Sequence, residues 1–202
     1  MLTVHHLNKS RSKRVLWLLE ELEMPYERVD HTRDLATHLA PASLKAVHPL
    51  SKAPVIVDGD IILSESSAIM EYIIDQDKEQ RLRPQAGTAA YYDYLQWSHF
   101  AEGSLALPVM CTLLMGMETR AGDQAMDGYI GKEVAVDFAF VESVLAEREY
   151  FAGSDFTAAD IMMVITLEMA EGLGLIKGYK HINAYLAKIQ QRPAYQKATS
   201  FG

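Results

Sequence analysis

The sequence predicts two domains in series: an α/β domain of order β-α-β-α-β-β-α, then an all-α helical bundle. Three observations carry this reading. Roughly the first eighty residues alternate short β-branched runs with segments of helical period. A hairpin signal, Asp58-Gly59, sits between two apolar runs late in that stretch. Beyond Thr88 strand-like alternation disappears and long helical patterns take over. A chain of 202 residues is long enough to give each domain a core.

The elements follow in order. "LTVHHL" is short and β-branched enough for a strand. Val15, Leu18, Leu19 and Leu22 then fall at i, i+3, i+4 and i+7, the mark of an amphipathic helix. Ser10 or Ser12 would cap that helix, and Pro25 would end it. "ERVDHT" reads as a second strand. "DLATHLAPASLKAVHP" is an irregular helical stretch broken by Pro41 and Pro49. "PVIVDGDIIL" is the hairpin, and "SESSAIMEYIIDQ" a helix with Ala68, Ile69, Tyr72 and Ile73 on one face. The charged segment 78–87, ending in Pro and Gly, reads as a linker between domains at 1–77 and 88–202. Two long helices are expected over "YYDYLQWSHFAEGSLALPVMCTLLMG" and "GYIGKEVAVDFAFVESVLAERE". Thr157 with Asp160 three residues on resembles a capping box, with Phe156 placed to pack as a staple. A last helix through "INAYLAKIQQ" is expected to stop at Pro193.

Composition excludes several classes of function. The 19 basic and 27 acidic residues give a formal net charge of −8, a poor match for nucleic acid or anionic membrane. "KSRSKR" is only a local basic run. No stretch approaches the ~18 continuous apolar residues of a membrane span. The opening lacks a basic segment followed by a long apolar one, so no signal peptide is expected. The single cysteine, Cys111, forbids an intrachain disulfide and fits a reducing compartment. No Cys-x-x-Cys follows the first strand, which disfavours a thiol–disulfide oxidoreductase. The seven histidines form no ligand-spaced cluster, so no metal is expected.

Four residues invite chemistry. Pro54 is either a strand-entry proline or a cis proline that exposes the N–H and C=O of Ala53 to an extended ligand. Glu65 and Ser66 either cap a helix, or hold the ammonium and carboxylate of an amino-acid end. Ser10 is either a helix cap or a hydroxyl that donates to a thiolate. A hydrogen bond to a charged partner is worth about 1.5–3 kcal/mol. At about 1.36 kcal/mol per pH unit, that lowers a thiol pKa by roughly one to two. Ser12 competes with Ser10 for either task.

In this order and spacing, the pieces resemble the cytosolic glutathione transferase family. The matching stretches are "SRSKR" after the first strand, "KAP" before the hairpin, "SES" after it, and "FTAADI" in the helical half. The βαβ-ββα order itself resembles a thioredoxin-like domain. Ser10 to Arg14 is similar to the serine-type classes, theta- and delta-like. The resemblance implies that Ser10 stabilises the thiolate and that Ala53, before cis Pro54, pairs with the cysteinyl unit. It places Lys52 near the glycyl carboxylate, Glu65 and Ser66 at the γ-glutamyl end, and Asp160 in a folding role. His38 and His48 are further candidates for the glycyl carboxylate.

The same resemblance implies an electrophile site lined by the first long helix of the second domain. Phe100, Leu107, Met110 and Cys111 are its candidates there, although such a stripe is more often plain core. The function implied is a glutathione S-transferase, whose bound thiolate attacks hydrophobic electrophiles or reduces organic peroxides. Glutathione is then a co-substrate, no cofactor is held permanently, and the protein is a cytoplasmic homodimer. The alternative is a non-catalytic binding or regulatory protein on the same scaffold.

Overall fold

The computed structural model describes residues 1–202, which divide into two compact units. One unit is Met1–Leu82 together with Gln190–Gly202, and the other is Arg83–Ile189. The expected helical domain ran to residue 202; its tail instead packs with the first unit.

The first unit begins with β1 (Thr3–Leu7), α1 (Ser12–Glu21) and β2 (Glu27–His31). β1 and β2 pair in parallel, which requires the α1 crossover. After α2 (Ala42–Val47) come β3 (Val55–Asp58), β4 (Ile61–Ser64) and α3 (Ser66–Gln76). The sheet order is β2-β1-β3-β4, and the last two pairings are antiparallel. The hairpin loop is Gly59-Asp60, with Asp58 opposite Ile61. Gly59 has φ 58 at the first loop position, where only glycine is unstrained.

α1 is buried more fully than its period predicts. Leu16 and Trp17 join Val15, Leu18 and Leu19 at zero exposure, because α1 packs against β1, α3 and the C-terminal tail of the chain. On α3 the buried face is Ile69, Met70, Ile73 and Ile74. Ala68 is exposed and Tyr72 half-buried, so the predicted face was rotated by about one residue. Tyr72 compensates by donating its hydroxyl to Asp58 at 2.9 Å. The irregular stretch before the hairpin condenses to α2 alone. Ahead of it, the Asp34 carboxylate accepts from the Ala36 and Thr37 amides and the Thr37 hydroxyl, closing a turn.

The second unit starts with α4 (Ala89–Phe100), capped by the Thr88 hydroxyl, which accepts from the Tyr91 amide at 3.2 Å. A π-helical turn over Ala101–Leu105 leads into α5 (Ala106–Met115). The expected single long helix therefore changes register in its middle. Pro108 lacks an amide and crowds the carbonyl four residues back, and the wide turn just before it absorbs that conflict. α6 (Ala125–Glu147), α7 (Ala158–Gly172) and α8 (Lys180–Ile189) complete the unit. Its core stacks Trp97 against Phe140 and Phe151, with ring centroids 5.2 and 4.7 Å away.

Asp160 anchors α7 and has no exposure at all. One carboxylate oxygen accepts the Thr157 amide at 2.8 Å and the Thr157 hydroxyl at 3.0 Å. The other accepts the Phe151 amide at 3.1 Å and the Tyr185 hydroxyl at 2.7 Å. Burial pushes its pKa up, and these donors oppose that shift. The Phe156 ring meets Tyr150 edge-on at 5.8 Å.

The chain then returns to the first unit as α9 (Pro193–Thr199), which packs on α1. Pro193 does more than stop the preceding helix: it opens α9 at a first-turn position, where its missing amide costs nothing. Arg192 clamps Glu21 with two bonds of 2.6 and 2.7 Å, and the Trp17 and Tyr195 rings meet edge-on at 5.2 Å.

Candidate active site

Three chain segments converge at one end of the sheet in the first unit. They are the loop after β1, the Ala53-Pro54 step before β3, and the β4–α3 junction. The strand register brings them there. β1 and β3 pair through His5 opposite Val55, so the end of β1 reaches the Ala53-Pro54 step, and Leu7 and Ala53 line one cavity. Val55 also faces Ser64, which places Glu65 and Ser66 beyond the same end.

The two candidate serines separate cleanly. Ser12 is fully buried as the first residue of α1, whereas Ser10 stays half-exposed in the preceding loop. Neither is the helix N-cap, a position that falls to Arg11 with no side-chain cap bond. Their hydroxyl oxygens lie 2.7 Å apart, and Ser10 also accepts the Ser12 amide at 3.2 Å. Behind them, His6 Nδ1 lies 2.8 Å from the Ser12 hydroxyl. His6 is 2% exposed, and burial is the main cause that lowers its pKa. It faces away from His5, which meets His31 at 3.0 Å on the opposite face of β1. No group of three or more His, Cys, Asp or Glu side chains is placed to hold a metal.

The Ala53-Pro54 peptide is cis. Neither the Ala53 amide nor its carbonyl makes a backbone hydrogen bond, so both are available to an extended ligand. Ala53 and Lys52 border a cavity of about 390 Å³, lined also by Leu7, Arg33, Leu50 and Ser51. Lys52 itself is exposed. His38 is exposed with φ 58, and His48 turns its Nδ1 toward the Leu50 amide at 3.4 Å. Neither lines that cavity.

At the third segment Glu65 is exposed, with φ 73 and no side-chain capping bond. Residues other than glycine hold such a φ only where the surroundings require it, and such positions concentrate at ligand sites. Ser66 opens α3, 5% exposed, and its hydroxyl accepts from Arg14 Nη1 at 3.3 Å. Arg14 is completely buried. A buried guanidinium under the positive end of a helix makes this junction favourable for a carboxylate.

Some of these contributors are not evident from the motif pattern alone. Arg14 sits four residues before Leu18, on an inward face of α1, so helical spacing does signal its burial. Arg33 has no comparable signal. It holds the loop around the cavity by donating to the Asn8 carbonyl at 3.2 Å and the His38 carbonyl at 3.0 Å. His6 is legible as a strand residue, but its role behind Ser12 depends on a contact that spacing does not reveal.

The electrophile candidates lie in the helical unit. Phe100 is half-buried and packs against the Trp97 and Phe140 rings at 5.2 and 5.8 Å. Leu107 is 62% exposed and Leu114 55%, with Met110 and Cys111 half-buried between them on the same face of α5. These four form a solvent-facing apolar stripe rather than core, while the inner face of α5 is Ala106, Pro108 and Val109.

Comparison with known proteins identifies the family. The model for the glutathione S-transferase N-terminal domain matches residues 1–75, and that for the C-terminal domain matches residues 105–193. Glutathione S-transferase 3 of Schizosaccharomyces pombe is 31% identical, over 96% of this chain and 85% of that protein. A solved glutathione S-transferase from Actinobacillus pleuropneumoniae superposes with a TM-score of 0.89 at 32% identity, covering 99% of this chain and 92% of that one. A sphingomonad glutathione S-transferase, solved in complex with glutathione, gives a TM-score of 0.79 at 27% identity, over 98% and 97% of the two chains. With both family domains matched along most of its length, the chain belongs to the glutathione S-transferase family.

Proposed function

We propose that this protein is a serine-type glutathione S-transferase and that Ser10 is its thiol-activating residue. The observation that carries the assignment is the contrast between the serines: Ser10 is accessible and Ser12 is not. Ala53 supplies the main-chain pair for the cysteinyl unit of glutathione. The start of α3, with Ser66 over buried Arg14, receives the γ-glutamyl carboxylate, and Glu65 receives its ammonium. Lys52 at the cavity rim neutralises the glycyl carboxylate.

Once held, the thiol needs only to lose its proton and meet an electrophile. Donation from the Ser10 hydroxyl favours the thiolate by about 1.5–3 kcal/mol. That brings a thiol of pKa near 8.5 to roughly 6.5–7.5, ionised in good part at neutral pH. In transfer, the thiolate sulfur forms a bond to a soft electrophilic carbon, and the leaving group departs with its electron pair. With an organic peroxide, the sulfur takes the distal oxygen and releases the alcohol; a second glutathione then closes the disulfide and releases water. The stripe of Leu107, Met110 and Cys111, with Phe100 nearby on α4, provides adaptable apolar surface for the second substrate. The protein acts as a homodimer. Large apolar side chains left exposed, Ile62 on β4 at 55% and Tyr92 on α4 at 62%, support an assembled form.

The test is a pH titration of thiolate absorbance in the glutathione complex, for the natural protein and for Ser10→Ala. The bound thiol is expected to ionise about one to two pH units below free glutathione, with that gain lost in the variant. An unchanged profile in Ser10→Ala would remove Ser10 from the role.

A further inference from the structure

We propose that Arg33 is a positioning residue for thiol activation: its guanidinium holds the turn that presents Ser10 and ties that turn to the loop walling the ligand cavity. The proposal rests on Ser10 being the thiol donor and extends that assignment to the residue that keeps its hydroxyl in place.

Only Asn8 and Lys9 separate the end of β1 from Ser10. Lys9 has φ 51, a left-handed conformation that disfavours any residue with a Cβ. Hydrogen bonds hold the turn there from two directions. The Asn8 and Lys9 amides donate to the His31 and Gly202 carbonyls at 3.3 and 3.4 Å. The Asn8 and Lys9 carbonyls both accept from Arg33, from Nε at 3.2 Å and from Nη2 at 3.5 Å. The Arg33 amide adds a bond of 2.9 Å to the side-chain oxygen of Asn8.

The remaining nitrogen of the guanidinium reaches a different segment. Nη1 donates to the His38 carbonyl at 3.0 Å. His38 belongs to a loop closed on itself: its amide donates to the Asp34 carbonyl at 2.9 Å, and the Asp34 amide to the Leu39 carbonyl at 3.0 Å. The Asp34 carboxylate is engaged inside that loop by Ala36 and Thr37. Leu39, Ala40 and Arg33 itself line the cavity of about 390 Å³ together with Leu7 and Ala53. Arg33 thus joins two walls of one cavity, the turn before Ser10 and the loop at 34–39.

The shape of the guanidinium makes this a clamp. Its donors lie in a rigid plane, so three carbonyls bonded through three different nitrogens are fixed relative to one another. The positive charge strengthens each of those bonds. Without the fork, the Asn8-Lys9 turn is free to leave its unfavourable conformation, and the Ser10 hydroxyl moves with it. A hydroxyl displaced from the sulfur loses part of its bond to the thiolate, and the bound thiol becomes a weaker acid.

The test is the thiol pKa of the bound ligand, read by thiolate absorbance at saturation. It is read for glutathione and for γ-glutamylcysteine, which lacks the glycyl carboxylate. Arg33→Ala is expected to raise the pKa by about one pH unit with both ligands, part of the Ser10 contribution. Arg33→Lys is expected to do the same, because one ammonium cannot span three carbonyls. In a Ser10→Ala background, Arg33→Ala is expected to add nothing, since the two residues act as a unit. A rise confined to glutathione overturns the proposal and makes Arg33 a contact of the glycyl carboxylate. A natural pKa in Arg33→Lys, or effects that add in the double variant, overturns it in favour of charge alone. If Ser10→Ala raises the pKa and Arg33→Ala does not, positioning is refuted and the donor assignment stands. If Ser10→Ala leaves the pKa unchanged, the donor assignment falls and the proposal with it. Should Arg33→Ala fail to fold, Arg33→Lys, alone and in the Ser10→Ala background, decides.

Discussion

Asp160 offers a test of packing that is independent of the chemistry. Its two oxygens accept four donors, two of them the buried amides of Thr157 and Phe151, and the residue has no exposure. Asp160→Ala leaves those amides and the Tyr185 hydroxyl without their acceptor. At about 1–3 kcal/mol per buried group left unsatisfied, the two amides alone cost about 2–6 kcal/mol. Typical total stabilities are about 5–15 kcal/mol, so this single change removes a large share of the whole. Asp160→Asn keeps one acceptor oxygen and turns an amide group toward the other pair of donors. It is expected to cost about half as much, because one pair stays satisfied. Tyr185→Phe removes one bond to a charged acceptor, worth about 1.5–3 kcal/mol. Urea unfolding should place the midpoints of Tyr185→Phe and Asp160→Asn close together, below the natural protein and above Asp160→Ala, with the slopes unchanged. If Asp160→Ala unfolds within about 1 kcal/mol of the natural protein, water or another group satisfies those amides, and the carboxylate is not the anchor of α7.

Acid should destabilise the fold through its histidines. His5, His6 and His31 all have pKa values lowered chiefly by burial, so the unfolded chain takes up protons first. Stability present above the ordinary value of about 6.5 is therefore lost as pH falls from there toward the folded values. Tm should drop across that window, and replacing His31 by Asn should flatten the drop; a Tm independent of pH there contradicts the assignment. For the assembly, sedimentation velocity should show a single species at twice the chain mass, and a monomer at micromolar concentration would refute the homodimer.

Most of the first unit is legible because each of its signals has a local cause. The Asp58-Gly59 step predicts the hairpin, and φ 58 at Gly59 is the reason. The Thr157–Asp160 spacing predicts the cap that the structure contains. What sequence misses are places where long-range packing overrides a local pattern. α3 turns its Ile69–Met70 side inward because α1 covers it, although the period alone also allowed Ala68 and Tyr72. The π turn before Pro108 splits what reads as one helix, since the proline's effect on the ladder depends on how the preceding turn yields. The tail joins the first unit because Arg192 and Tyr195 find Glu21 and Trp17, partners more than 170 residues away.

The question of Ser10 against Ser12 shows why a motif cannot assign a donor alone. Both serines lie in "SRSKR", both carry hydroxyls, and both stand near a helix start. The difference comes from the strand before them. Alternation along β1 turns His6 to the face opposite His5, and there it meets Ser12. Ser12 thereby acquires partners on the protein side and sinks to zero exposure, and Ser10, two residues earlier, is left at the surface. A slip of one residue in the β1–β3 register would turn His6 to the other face and leave Ser12 without its ring partner. The same slip would part Leu7 from Ala53 and so pull apart the thiol and main-chain sides of the site. Register thus couples where the ligand's backbone pairs to which hydroxyl can reach its sulfur.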